Sequence, residues 1–212
     1  WFTGLATRLG IEQQIVQPFG AYSFYAINQT DLTPIPRFRL GGLSFSGRFA
    51  KDDPFVQATY NHPGKRYFMN DLPVISWNLT YSTKGFLQSD FHRTSVAIRA
   101  EHDQKMNRWG YLSYSIEFGK IWGQAPYPFL YTPTGNQTLF AERTAFNMMN
   151  FMEFAADEYL ACHLEHHFDG LFFNQFAFNK WTKLRQFLFA KIYWGQLSEQ
   201  NNAKRWTFPE SI

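Results

Sequence analysis

The sequence predicts an all-β protein, an antiparallel transmembrane β-barrel of which this chain is a segment. Three observations lead to this prediction: polar and apolar residues alternate along many segments, several of these segments exceed ten residues, and their polar faces carry charged side chains. Alternation with a period of two is typical of strands whose faces meet different surroundings. We expect residues 1–212 to form part of one barrel domain, with a long lumenal or extracellular connection at about 123–157.

The alternation is clearest between Trp109 and Trp122, where every second residue from Leu112 to Phe118 is apolar and those between are polar. The same pattern predicts strands at 5–15, 74–82 and 91–101. Further strands are expected near 19–28, 36–50, 54–61, 157–169 and 184–196. The chain therefore contains roughly nine strands, enough for part of a larger barrel.

Alternation alone does not say which face is inside, because a soluble barrel buries its apolar face and a membrane barrel exposes it. The long segments fit tilted membrane strands of about 9–11 residues better than soluble strands of about 5–6. The polar faces carry Arg8, Glu12, Arg93, Arg99 and Glu117, which a wet lumen accepts and a small packed core does not. Aromatic residues near the predicted strand ends resemble interfacial girdles: Trp1, Phe2, Tyr67, Phe68, Phe86, Phe91, Trp109, Trp122, Tyr193 and Trp194.

Composition narrows the classes of function. Charged residues are 17% of the chain and the net charge of +3 is spread out, so binding of nucleic acid is not expected. The single cysteine, Cys162, cannot form an internal disulfide and is interpreted as a small buried or lipid-facing residue. No stretch has the ~18 consecutive apolar residues of a transmembrane helix, so a membrane-spanning chain of this composition requires a closed barrel.

The connection at about 123–157 opens with Pro126-Tyr127-Pro128 and passes Gly135-Asn136 before an apolar stretch. A short helix carrying Phe146, Met149, Met152 and Phe154 is predicted there, folded onto or into the barrel.

The sequence offers few candidate catalytic or metal-binding residues. On a strand, His163, Glu165 and His167 share one face, where they are weak candidates for a metal site or, in the favoured interpretation, members of a hydrogen-bonded ladder on the lumen wall. The lumenal carboxylates Glu117, Glu165 and Asp169 are also candidates to flank a substrate, although solvated barrel walls carry such groups routinely. We assign no catalytic residue, no cofactor and no metal, and expect that the protein is not an enzyme.

Several stretches resemble a known family: Tyr81–Phe86, Ser89–Phe91, Gly119–Gly123, Pro126–Pro128, Gly135–Gln137, Phe146–Phe151 and Leu164–Asn174. Their order and spacing are similar to those of Bacteroidota outer-membrane barrels in which a carboxypeptidase-like regulatory domain precedes a barrel domain of unknown function. The likeness is dense from about residue 74 to 200. These barrels are distantly similar to the bacterial surface antigen superfamily, whose members insert or translocate outer-membrane proteins, but no matching insertion-loop arginine motif occurs here.

The resemblance implies a bacterial outer-membrane location, with a signal peptide and a regulatory β-sandwich before Trp1 and closing strands after Ile212. The expected partners are outer-membrane lipid, lipopolysaccharide and other outer-membrane proteins. Three functions stay open: a structural or assembly-associated barrel, a transport barrel or pore for a small solute, and a lumenal enzyme. The first is the primary prediction.

Overall fold

The structure is a computed structural model that describes residues 4–17, 23–24, 37–51, 72–135, 145–150, 153–168, 170–171, 173–175, 185–201 and 206–207. Within these described residues it contains nine strands: β1 (Leu5–Val16), β2 (Ser23–Phe24), β3 (Phe38–Phe49), β4 (Val74–Ser82), β5 (Arg93–Lys105), β6 (Tyr111–Gly123), β7 (Glu158–His167), β8 (Phe187–Gln196) and β9 (Trp206–Thr207). Seven of them form one antiparallel sheet in the order β1-β3-β4-β5-β6-β7-β8, and β2 pairs with β9. The all-β antiparallel prediction is confirmed.

The predicted strands lie close to the observed ones. The prediction at 74–82 coincides with β4, whereas that at 91–101 is too short because β5 continues to Lys105. The turn that follows is closed by the Met106 amide donating to the Gly110 carbonyl at 2.8 Å. Gly110 has a φ of 88°, which favours glycine at this point. Of the predicted strand at 19–28 the structure describes only 23–24, and that at 54–61 lies outside the described residues.

The predicted helix around Phe146 is wrong for the residues that are described. Residues 145–150 form isolated turns, and the Phe146 amide donates to the Thr134 carbonyl at 2.8 Å rather than to a residue four positions earlier. Phe146 also forms a bridge with Gly135. Because its backbone bonds to a distant segment, the local apolar spacing does not lead to a helix; Met152 lies outside the described residues. Across the described ranges, no helix has the length and apolar character needed to span a membrane.

The two faces of the sheet differ sharply. One register line joins Trp77, Ile98, Phe118, Leu160 and Trp194 across five neighbouring strands. Residues on this side, called here the apolar face, remain between 38% and 78% exposed: Leu9, Ile11, Leu43, Phe45, Leu79, Tyr81, Ile98, Ile116, Phe118, Leu160, Ile192 and Trp194. All seven strands contribute to it, so the sheet leaves a continuous apolar surface uncovered.

The strands are also staggered along the sheet. The register passes from Leu9 through Phe45, Leu79, Val96 and Lys120 to Glu158. Leu9 lies in the middle of β1, whereas Glu158 is the first residue of β7. Successive strands are therefore displaced along their axes, as in sheets whose strands tilt around a barrel axis.

The opposite side, called here the polar face, carries the hydrophobic core at one end. The buried cluster consists of Phe38, Leu40, Phe91, Ile121, Ala125, Tyr127, Phe129 and Leu130. Val16 at the end of β1 and Leu197 just after β8 both pack against it. Because residues from both edges of the sheet reach one cluster, the sheet curves around residues 125–130, and each large apolar side chain buried there stabilises the fold by about 1.5–3 kcal/mol.

Phe91 corrects one prediction about the aromatic residues. It is only 6% exposed, and its ring lies 6.1 Å from that of Phe38, so it belongs to the core rather than to an interfacial girdle. Tyr193 lies on the polar face. Phe86, Trp109, Trp122 and Trp194 are exposed as expected, and Trp1, Phe2, Tyr67 and Phe68 lie outside the described residues.

Candidate functional site

The connection between β6 and β7, residues 124–157, folds back over the polar face of the sheet. Within it, Tyr131 and Ala156 exchange two backbone hydrogen bonds of 3.0 and 2.9 Å, so its early and late segments run together as a bridge. The Tyr131 ring stacks on that of Tyr159 in β7, with 3.4 Å between centroids. A short helix folded onto or into the barrel was predicted here; the described residues 124–135, 145–150 and 153–157 do not form that helix, although Tyr131 and Phe146 pack against the sheet.

Both ends of the connection are fixed by a buried polar group that we call the clasp: Asp157, Ser198 and Asn201. Asp157 is 3% exposed, and its carboxylate accepts hydrogen bonds from the Ser198 amide at 3.0 and 3.1 Å, from the Ser198 hydroxyl, and from Asn201 Nδ2 at 3.0 Å. A buried carboxylate is stable only when such donors replace water. The clasp thus compensates one buried charge with donors from the chain after β8.

Asn201 extends the clasp to the start of the connection. Its Oδ1 accepts from the Ala125 amide at 2.8 Å, and its Nδ2 donates to the Gly123 carbonyl at 3.0 Å. Asn201 is 1% exposed. One side chain therefore joins the end of β6, the return of the chain at Asp157 and the segment after β8.

The middle of the connection has its own anchors. Lys191 Nζ on β8 donates to the Ala145 carbonyl at 2.6 Å. The Phe146 ring is 5% exposed and lies 4.7 Å from the His163 ring and 5.7 Å from the Tyr193 ring. The connection is thus held at its described centre by one hydrogen bond and an aromatic contact, independently of the clasp.

Beneath Tyr131 the polar face carries a charged network. Arg99 donates from Nε and Nη2 to Glu117 Oε2, the first at 2.9 Å, and its Nη1 lies 3.4 Å from Glu101 Oε1. Glu117 Oε1 accepts from the Tyr159 hydroxyl at 2.7 Å. Burial raises the pKa of Tyr131 to about 12, with Glu117 and Tyr193 adding to the effect. The Tyr131 phenol is therefore neutral near pH 7 and packs against the Tyr159 ring without carrying a charge.

The three metal candidates do share one face of β7, as predicted, but they are not gathered around one point. Glu165 Oε1 lies 2.5 Å from His167 Nε2, and the His167 ring stacks on Tyr111 at 4.4 Å. His163 instead faces Phe146. Throughout the part of the chain that is described, no set of three His, Cys, Asp or Glu side chains is arranged to hold a metal ion. In the part of the chain that the structure describes, one hydrogen bond of the predicted ladder is present, between Glu165 and His167.

The proposed substrate carboxylates are likewise occupied where they are described. Glu117 bonds to Arg99 and Tyr159, and Glu165 to His167. Asp169 lies outside the described residues. The acidic groups therefore form internal pairs on the polar face and do not converge on one opening.

Sequence reasoning missed the clasp. Asp157 and Asn201 are 44 positions apart in sequence, and Asn201 and Ala125 are 76 apart. Short-range spacing carries no signal for such contacts. Asp157 is the first residue of the strand predicted at 157–169, and an aspartate at such a boundary is indistinguishable from a turn residue.

With this geometry described, comparison with known families gives one finding. Residues 43–201 match the C-terminal domain of a family of unknown function (DUF5686). The chain belongs to this family. Searches of curated proteins and of solved structures found no significant match. The matched range contains the strands from within β3 to β8, the whole connection and all three residues of the clasp.

Proposed function

We propose that this DUF5686 C-terminal domain forms part of an outer-membrane β-barrel, with the apolar face against lipid and the polar face lining a plugged interior. The observation that carries the proposal is the division of the sheet. Large apolar side chains of seven adjacent strands stay exposed on one face, while the connection packs against part of the other. Exposed apolar surface of this extent marks an interaction with lipid or another protein.

Strand length and side-chain placement favour lipid as the contact. The six longer strands β1, β3, β5, β6, β7 and β8 have 10 to 13 residues, and β4 has 9. Tilted membrane strands need about 9–11 residues. The central apolar face contains Ile98, Ile116 and Phe118, whereas Arg99 and Glu117 lie on the opposite side. This is the arrangement of outer-membrane barrels.

The role we propose is structural or assembly-associated, performed with other outer-membrane proteins. Residues 125–130 fill the polar side at one end, and Phe146 and Tyr131 pack against it further along. A filled interior disfavours an open pore for a solute. The resemblance to Bacteroidota barrels with a carboxypeptidase-like regulatory domain supports the same location, and lipid, lipopolysaccharide and neighbouring barrel proteins remain the proposed partners.

Conductance tests the plugged interior. Full-length protein in planar bilayers is expected to conduct little, because the connection occupies the polar face. Replacing residues 132–155 by a short Gly/Ser linker keeps the core residues 125–130 and should raise the conductance, since Tyr131 and Ala156 are already paired and hold the linker ends together.

Two controls accompany this experiment. Variant folding is verified by the change in gel migration on heating, and the double variant Phe146→Ala/Lys191→Met removes only the central anchors while leaving the clasp. A high conductance of the unaltered protein would favour the transport alternative. A folded linker variant that stays closed would exclude residues 132–155 as the plug.

A further inference from the structure

The turn between β4 and β5, residues 83–92, contacts the apolar face through residues 86–88, whereas Ser89 and Phe91 of the same turn are buried. Gln13 Nε2 on β1 donates to the Leu87 carbonyl at 3.1 Å, and Arg39 Nη1 on β3 donates to Gln88 Oε1 at 2.9 Å. Both side chains lie on the same face as Leu9 and Leu43. The turn therefore reaches sideways across β3 toward β1.

Gly41 makes this close approach possible. A Cβ atom at position 41 would lie 2.5 Å from the Leu87 Cβ and 2.7 Å from its carbonyl oxygen. Any larger residue would push the turn away from the sheet. The Asp90 amide also donates to the Arg39 carbonyl at 2.9 Å, and the Arg39 amide donates to Asp90 Oδ2 at 2.8 Å. The turn is thus fixed in place by backbone bonds as well as by shape.

In this position the turn adopts an unfavourable backbone conformation. Gly85, Leu87 and Gln88 have φ values of 87°, 47° and 61°, and a non-glycine residue in the left-handed region costs about 1 kcal/mol or more. The strain does not bury the apolar side chains, because Phe86 remains 40% and Leu87 36% exposed. In water there would be no reason to hold two apolar side chains in this position.

The surroundings of Phe86 and Leu87 indicate which environment covers these two side chains. Phe86 and Leu87 are exposed, and Leu87 lies beside Gly41 on the face that also carries Leu43 and Tyr81. Lys84 in the same turn is exposed. Arg39 forms a hydrogen bond with Gln88 of this turn. Apolar and aromatic side chains flanked by cations are typical of segments that lie in the headgroup region of a bilayer.

We propose that the exposed residues 84–88 anchor the barrel at the membrane interface, with Phe86 and Leu87 inserted at the boundary between headgroups and acyl chains and Lys84 directed to lipid phosphates. The inference rests on the proposed function and adds to it, because it identifies one turn at one end of the sheet as a lipid contact. The competing proposal is that a partner protein covers Phe86 and Leu87.

Spin labels measure the depth of this turn. Full-length protein with Cys162→Ala and any other cysteines replaced is labelled at Leu87→Cys, Ile98→Cys or Glu199→Cys and reconstituted in phosphatidylethanolamine/phosphatidylglycerol vesicles. Ile98 reports the centre of the apolar face, and exposed Glu199 reports an aqueous site at the same end of the sheet. Collision rates with oxygen and with a water-soluble nickel chelate are compared by power saturation.

The oxygen-to-nickel ratio at position 87 should be several-fold above that at 199 and below that at 98, because interfacial groups lie about 5–10 Å into the boundary. Equal ratios at 87 and 199 would overturn the inference while a high ratio at 98 upholds the barrel proposal. A low ratio at 98 would overturn the barrel proposal itself. Phe86→Cys repeats the test if Leu87→Cys does not fold, and protection of either label only in native membranes would identify a protein partner and overturn lipid contact.

Discussion

Replacing Asp157 by alanine is expected to lower the free energy of unfolding by about 3 kcal/mol or more, since a hydrogen bond to a charged group contributes about 1.5–3 kcal/mol and several are lost. The Ser198 amide, the Ser198 hydroxyl and Asn201 Nδ2 would lose their acceptor inside the fold. Because Asn201 also fixes Gly123 and Ala125, both ends of the connection should loosen. Denaturant unfolding of the full-length protein in vesicles measures the change.

Glu199→Ala is the matched control for Asp157→Ala. Glu199 lies between Ser198 and Asn201 but is exposed, so its removal should change stability by less than about 0.5 kcal/mol. Asn201→Ala should resemble Asp157→Ala because it breaks the same clasp from the other side. Equal stability of Asp157→Ala and Glu199→Ala would contradict the role given to the clasp.

Introducing a charge on the apolar face is expected to have the second large effect. Ile98 lies in the middle of β5 between Trp77 and Phe118, so Ile98→Arg places a cation at the depth proposed for the bilayer centre. Such a substitution costs about 2–4 kcal/mol in membrane barrels. The folded fraction in vesicles, followed by gel migration with and without heating, should fall and the unfolding midpoint should shift to lower denaturant.

Asn78→Arg provides the comparison on the polar face. Asn78 is exposed in the neighbouring strand β4 and pairs with Ala97, next to Ile98, but points to the side that carries Arg99. There an added arginine should be tolerated. If Ile98→Arg is harmless, or if Asn78→Arg is the more damaging of the two, the assignment of the lipid face is wrong.

The strands could be predicted from the sequence because the alternation of polar and apolar residues is a local property. Each of the strands β1, β3, β4, β5, β6, β7 and β8 was predicted within four residues of its observed ends, and the side chains of Arg99 and Glu117 share a face as expected. The shared face of His163, Glu165 and His167 was also predictable, since residues two apart on a strand point the same way.

The features that could not be predicted from the sequence depend on contacts between distant segments of the chain. The apolar spacing of Phe146, Met149 and Phe154 does not lead to a helix: the Phe146 ring packs against His163 and Tyr193 on the sheet, whereas Phe154 remains 44% exposed. Phe91 was assigned to an interface because it follows a turn, whereas the curvature of the sheet brings Phe38 against it. The clasp and the sideways path of residues 83–92 similarly require the three-dimensional fold.

Membrane extraction of the full-length protein tests the central claim most directly. Cells that express it are fractionated, and the outer-membrane fraction is washed with alkaline carbonate and with urea before detergent is added. We expect the protein to remain in the washed membrane and to be released by detergent alone, because the proposal places its apolar face against lipid. Release of the intact, folded protein by carbonate or by buffer without detergent would contradict the barrel account.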